Sequence, residues 1–115
     1  MAVKAGFPKE SRLLKRPQFE RVLDGGRRVR VERLCTVFFL PNGLDRARLG
    51  IIASRKVGCA VKRNRAKRIL REIFRRNPQH FKPGQDVVVI SGKPLPGLGY
   101  QDLERRILTH IARTG

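Results

Sequence analysis

Between residues 59 and 76 the apolar side chains Ala66, Ile69, Leu70, Ile73 and Phe74 recur at i, i+3, i+4, i+7 and i+8, the spacing of one face of an α-helix. Residues 55–76 also carry ten basic groups against a single acid, Glu72. A helix built this way must press one side into a core and turn the other toward something that tolerates dense positive charge. At about 100° per residue, Asn64, Lys67, Arg68, Arg71 and Arg75 share an arc opposite the apolar stripe. Arg65 lies beyond one edge of that arc. Arg63 sits near the apolar border in the first turn, where its long stem can still swing outward. The like charges at Lys67/Arg71 and Arg71/Arg75 each cost roughly a few tenths of a kcal/mol in an isolated helix. A polyanion laid on that face relieves the repulsion.

The remaining elements follow from local chemistry. Pro17 suits a first helical turn, Phe19, Val22 and Leu23 follow at helical spacing, and Gly25–Gly26 ends that short helix. Arg33–Leu40 is rich in Val, Phe and Thr, and Arg46–Ser54 alternates, so both read as strands. The turn residues Pro41 to Asp45 between them predict an antiparallel hairpin. Val87 to Ile90 form an unbroken apolar run, expected as a strand buried on both faces or nearly so. Asn77–Pro78 stops the basic helix, a Pro/Gly-rich connection spans 92–99, and Tyr100, Leu103, Ile107, Leu108 and Ile111 mark a last helix facing the core. Residues 1–12 read as an irregular, flexible arm of a single domain over 1–115. The order is that of a mixed α/β layer arrangement.

The formal net charge is +18, of which residues 1–33 supply +6 and residues 55–76 supply +9. Arg outnumbers Lys 19 to 8, and the planar guanidinium suits bidentate phosphate contact and base stacking. Such a chain is expected to meet polyanions. No stretch nears the roughly 20 apolar residues of a membrane span, and the basic N-terminal residues are followed by no apolar h-region, so a secretory signal is not expected. Cys35 and Cys59 are isolated thiols without metal-ligand spacing, which fits a reducing cytoplasm. A nuclease acting alone needs clustered carboxylates or a paired histidine. The acids are scattered, and His80 and His110 have no nucleophile or ligand nearby in sequence, so autonomous catalysis is not expected. A surface-lying membrane peptide fits poorly, because the helix needs its apolar face for the core. A basic ribosomal-type or general RNA-binding protein shares the charge and remains the alternative.

The run Ser54 to Glu72, SRKVGCAVKRNRAKRILRE, with its Arg-Asn-Arg triplet followed by Lys-Arg and a further Arg, resembles the signature of the bacterial ribonuclease P protein subunit. Phe7-Pro8-Lys9, Arg12-Leu13, Lys15, Phe19, Gly26-Arg27 and Arg48-Leu49-Gly50-Ile51 extend the likeness upstream, and Gly84 to Ile90 extend it downstream. The resemblance covers roughly 7–110. It implies an α/β sandwich: a four-stranded mixed sheet packed by three helices in α-β-β-β-α-β-α order, with a left-handed crossover around the basic helix, a hand opposite to the usual one. It implies an accessory subunit whose RNA partner, the ribonuclease P RNA, removes the 5′ leader of precursor tRNA using Mg²⁺ held mainly by RNA. No tightly bound cofactor, catalytic residue, membrane or obligate protein partner is expected of the protein itself. Arg63, Asn64, Arg65, Lys67, Arg68 and Arg71 would contact the RNA subunit. Lys15, Phe19, Leu34, Val37, Ser54, Arg55 and Lys56 would line a leader-binding cleft between the sheet and the first helix. Two positions depart from the family pattern. Leu23 stands one turn after Phe19, where a second aromatic is frequent, and Val37 falls where some members carry Tyr.

Overall fold

Three helices and four strands carry the chain through the computed structural model, which describes residues 11–114. They are α1 (Arg16–Gly25), β1 (Arg27–Val31), β2 (Cys35–Pro41), β3 (Arg48–Ile52), α2 (Ala60–Arg76), β4 (Gln85–Ser91) and α3 (Tyr100–Thr114), with short 3-10 turns at Arg55–Val57 and Leu95–Gly97. The expected arm at 1–12 lies outside the described residues up to 10. At its end Arg12 bridges Leu49 in parallel and the Leu13 amide donates to the Leu49 carbonyl, so the chain enters along the free edge of β3.

The sheet order is β1-β2-β4-β3, with β3 and β4 parallel and the other pairs antiparallel. The hairpin expected between the second and third strands is therefore corrected. Pro41–Asp45 does reverse the chain, but β4 lies between β2 and β3. The Val87–Ile90 run explains this, because a strand apolar on both faces has to occupy the middle of the sheet; Val87 and Val88 are fully buried. The hairpin that forms is β1–β2, turned at Glu32, whose φ of 52° is left-handed. β1 reads Arg-Arg-Val-Arg-Val and was not evident from its residues; the four-strand count rested on the resemblance.

One face of the sheet carries the main core. Val29, Val31, Cys35, Val37, Phe39, Leu49, Val87 and Val89 pack with Ala66, Leu70, Ile73 and Phe74 of α2 and Leu103, Ile107 and Ile111 of α3. The stripe on α2 is thus buried as its spacing requires, except that Ile69 is only half-buried. Asn77 ends α2: its side-chain amide donates to the Ile73 carbonyl (2.7 Å) and to Glu104 of α3 (2.8 Å), tying the two helices together. On the opposite face α1 makes a smaller cluster in which Leu13, Val22 and Val88 are buried against Phe19, Leu23, Phe38, Leu40 and Ile52.

Candidate nucleic-acid interface

With its inner face fixed in the core, α2 presents the rest to solvent. Lys62, Asn64, Arg65 and Arg68 are exposed, and Lys67 and Arg71 are half-exposed. Arg63 is half-buried, and its Nε is enclosed with no hydrogen-bond partner, so of the triplet Arg-Asn-Arg the first member leans inward. Glu72, the one acid of the helix, is gripped by Arg75 and Arg76 (Nε to carboxylate 3.2 and 2.7 Å), and those two hydrogen bonds hold its carboxyl below the usual range. The outward surface from Lys62 to Arg71 has no anion of its own helix. Arg65 and Lys62 face Lys93 across a cavity of about 450 Å³ floored by Val57, Pro94 and Pro96. Lys62 and Lys93 carry no sign of this in the sequence, since neither belongs to the arc of charges opposite the apolar stripe nor to the Arg-Asn-Arg triplet and the Lys-Arg that follows it.

At the β3 edge this surface meets the entry to α1. Arg12, Lys67 and Arg71 converge on a small cavity of about 130 Å³ with Leu13, Phe19 and Gly50. Burial and the neighbouring Arg12 charge lower the pKa of Arg71, the signature of cations crowded together. The basic face of α2 and the α1 side of the sheet are therefore one continuous positive surface.

α1 begins at Lys15, whose amide, like that of Leu14, donates to Gln18 Oε1 (2.9 and 2.8 Å), closing the helix start. Phe19 then packs its ring on β3 at Gly50. A Cβ at that glycine would stand 2.5 Å from Phe19 Cε2, so the ring sits where only glycine admits it. Phe19, half-buried, forms one wall of a groove of about 500 Å³ with Arg16, Glu20, Leu23 and Ile52. Ser54, Arg55 and Lys56 are exposed just beyond β3, where Ser54 accepts from the Lys56 amide and buried Val57 anchors the turn.

Two of the expected cleft residues are corrected. Val37 is 1% exposed and Leu34 4%, and both belong to the core under α2 and α3, on the far side of the sheet. Val37 fails by parity, since side chains alternate along a strand and a reading displaced by one residue selects the wrong face. Leu34 precedes β2, in the turn after β1, and its side chain folds under into the same core. The positions of β2 that face α1 are Thr36, Phe38 and Leu40, and Phe38 supplies a half-buried ring beside the groove. Ile90 stands next to Thr36 in the ladder, and Ile52 next to Ile90. The alternation Thr36-Phe38-Leu40 was the available sign. Of the other expected cleft residues, Phe19 lines the groove, Lys15 immediately precedes α1, and Ser54, Arg55 and Lys56 are exposed in the turn that follows β3.

Among the described residues no three His, Cys, Asp or Glu side chains converge, and the groove's two charged lining residues, Arg16 and Glu20, pair with each other. These donors do not fit a Mg²⁺ ion. No helix of the described residues is long and apolar enough to cross a membrane.

A small α/β domain with an uninterrupted cationic helix face, joined around a sheet edge to an aromatic-walled groove, defines a nucleic-acid-binding module. The family described as Ribonuclease P matches residues 7–115. A ribonuclease P protein component from Pelotomaculum thermopropionicum is 39% identical over 101 residues, covering 88% of this chain and 89% of the relative. The RNase P protein from Thermotoga maritima superposes with a TM-score of 0.78 at 37% identity, covering 89% of this chain and 96% of that one. That from Staphylococcus aureus gives 0.79 at 30% identity, covering 90% and 94%. The chain belongs to the ribonuclease P protein family, and with it to the accessory protein subunits of an endoribonuclease of tRNA 5′ processing.

Proposed function

We propose that α2 docks the chain onto the catalytic RNA of ribonuclease P, while the groove between α1 and the sheet holds the 5′ leader of precursor tRNA. The observation that carries this reading is the continuous positive surface running from Arg65 and Arg68 past Lys67 and Arg71 to the mouth of the groove at Phe19. Arg63, Asn64, Arg65, Lys67, Arg68 and Arg71 meet RNA-subunit phosphates and sugars. Lys15, Arg55 and Lys56 hold leader phosphates, Ser54 offers a hydroxyl, and Phe19 and Phe38 offer rings to unpaired bases.

The protein's share of the reaction is binding and orientation. A fixed leader turns the scissile phosphodiester into an effectively intramolecular partner of the RNA's reactive groups. The cationic surface also screens repulsion between two polyanions, lowering the concentration of Mg²⁺ needed. Mg²⁺ would supply charge neutralisation and a polarised water from sites on the RNA, since the protein surface at this interface is positive. Such work belongs in the cytoplasm, where precursor tRNA is made.

The test is reconstitution with the RNA subunit at low Mg²⁺, following 5′ processing of a precursor tRNA. Stimulation that depends on a leader is the expected result. Binding with a salt slope near about −4, for about five phosphate contacts, but no stimulation would instead favour a general RNA-binding protein.

A further inference from the structure

Resting on that reading of the groove, we infer that Arg28 and Arg30 of edge strand β1 form a second leader-binding station at the end of the groove remote from β3, engaging phosphates further from the cleavage site. Alternation places both side chains on the α1 face, since Val29 and Val31 between them are buried in the opposite core. Their cross-strand neighbours are Phe38 and Thr36, so no carboxylate stands opposite either guanidinium. Both residues are exposed. Arg28 makes no ion pair among the described residues, and Arg30 makes only a long contact to the Glu32 carbonyl (3.4 Å). The nearby acids are largely engaged elsewhere: Glu32 pairs with Arg106 (2.9 Å) and Glu20 with Arg16 (3.1 Å), leaving Asp24 as the acid of α1 with no ion pair among the described residues.

The course of α1 makes this an extension of the groove. The helix starts over β3, with Phe19 on Gly50, and ends over β2, with Gly25 beside Leu40, before turning into β1. From Ile52 in the wall of the groove, the ladder on this face runs through Ile90 and Thr36 to Arg30, with Phe38 paired to Arg28 on the next rung, so a strand that leaves the groove along the flank of α1 is led to these two arginines. Three strand spacings of about 4.8 Å make ~14 Å, room for about four nucleotides at 3.4 Å per stacked step. Edge-strand charges also discourage sheet-to-sheet pairing. That role alone needs no alignment with the groove and predicts no dependence on leader length.

Holoenzyme reconstituted with the RNA subunit is titrated with precursor tRNAs whose leaders increase by one nucleotide, comparing the native chain with the Arg28→Gln/Arg30→Gln pair. Gln keeps the strand edge polar, and an Arg28→Lys/Arg30→Lys pair tests whether charge suffices. The expected result is equal affinity for short leaders, an affinity about tenfold lower than the native chain's once the leader can reach β1, a salt slope shallower by about 1.4 (two single-strand contacts), and recovery by Lys. A loss equal at all leader lengths, or no loss with long leaders, overturns the proposal while leaving the leader reading intact. A native chain indifferent to leader length overturns both. Aggregation of the Gln pair with unchanged leader dependence assigns the arginines to edge protection and equally overturns it.

Discussion

Arg48 reaches Asp86 through two hydrogen bonds of 2.8 Å, Nε to Oδ1 and Nη2 to Oδ2, and the carboxylate they hold is wholly buried. Asn42 adds a third at 2.8 Å, and Arg21 of α1 approaches at 3.5 Å. One acid thereby joins β3, β4, the turn after β2 and the helix that walls the groove. Burial alone would raise the Asp86 carboxyl; the hydrogen bonds from Arg48 and Asn42 and the charges of Arg48 and Arg21 outweigh it and hold the group below its ordinary value. A depressed folded-state pKa gives stability that is complete above the unfolded value of about 3.9. That stability is lost as the pH falls from there through the folded value. Urea unfolding followed from pH 6 downward is expected to weaken below about pH 4. Asp86→Asn, which leaves the half-buried Arg48 without its counter-charge, is expected to cost about 3 kcal/mol at neutral pH, the lower end of the scale for fully buried pairs, and to flatten that acid limb.

The two cysteines are expected to separate cleanly. Burial raises the Cys35 thiol to about 12, whereas exposed Cys59 at the start of α2 is lowered by the Lys62 and Val61 amides and the Lys62 charge. A thiol-reactive chromophore at neutral pH is expected to label one equivalent in the folded protein, at Cys59, and the second only on unfolding. Rapid labelling of both would contradict the packing of β2.

Phe38 and Val37 are adjacent and are expected to fail in opposite ways. Phe38→Ala removes a ring at the groove and is expected to weaken binding of leader-bearing precursor tRNA by about 1–3 kcal/mol with a smaller effect on folding. Val37→Ala opens the main core and is expected to lower stability with little specific effect on the leader. Thermal unfolding and leader-dependent affinity, measured on both variants, check the register directly.

That pair also shows where the sequence was legible. α2 could be read because five apolar residues at helical spacing leave one solution for the inner face, and every charge then has a computable angle. β4 could be read because Val87–Ile90 suits a strand covered on both sides. β1 could not: of its five residues three are Arg, and its two buried valines do not outweigh them in composition. The pairing of β2 could not, because turn chemistry at 41–45 fixes a reversal and says nothing of which strand later slips between. The cleft assignment at Val37 failed by a single residue. A resemblance transfers positions along the chain, but the face of a strand is decided by parity, and parity is visible only once the partner strands are in place.

Gly50→Ala is expected to disturb the groove without touching a charged group. The new methyl would fall 2.5 Å from Phe19 Cε2 and 3.2 Å from Leu13 Cβ, so the ring must leave its seat. A loss of about 1–3 kcal/mol is the usual scale of such overpacking. Leader-dependent affinity is expected to fall with it, while the leader-independent affinity for the RNA subunit stays close to that of the native chain.

The opposite dissociation is expected on α2. Arg65 and Arg68 are exposed and make no ion pair among the described residues, so Arg65→Ala/Arg68→Ala removes nothing the fold relies on. If each meets a phosphate of the RNA subunit, the pair weakens association across sequences and makes the salt slope shallower by about 2, near one contact each. Thermal stability stays nearly unchanged, or rises slightly as like charges are relieved. Leu70, 4% exposed on the inner face of the same helix, behaves in reverse. Leu70→Ala is expected to cost about 2–5 kcal/mol of stability and to leave the salt slope of the remaining folded protein unaltered. Ile69, half-buried, falls below that range. Unfolding together with RNA-subunit titrations at several salt concentrations separates the two faces. If the arginine pair instead lowered stability by the amount expected of Leu70, its side chains would serve the fold, and the RNA-facing assignment of α2 would fail.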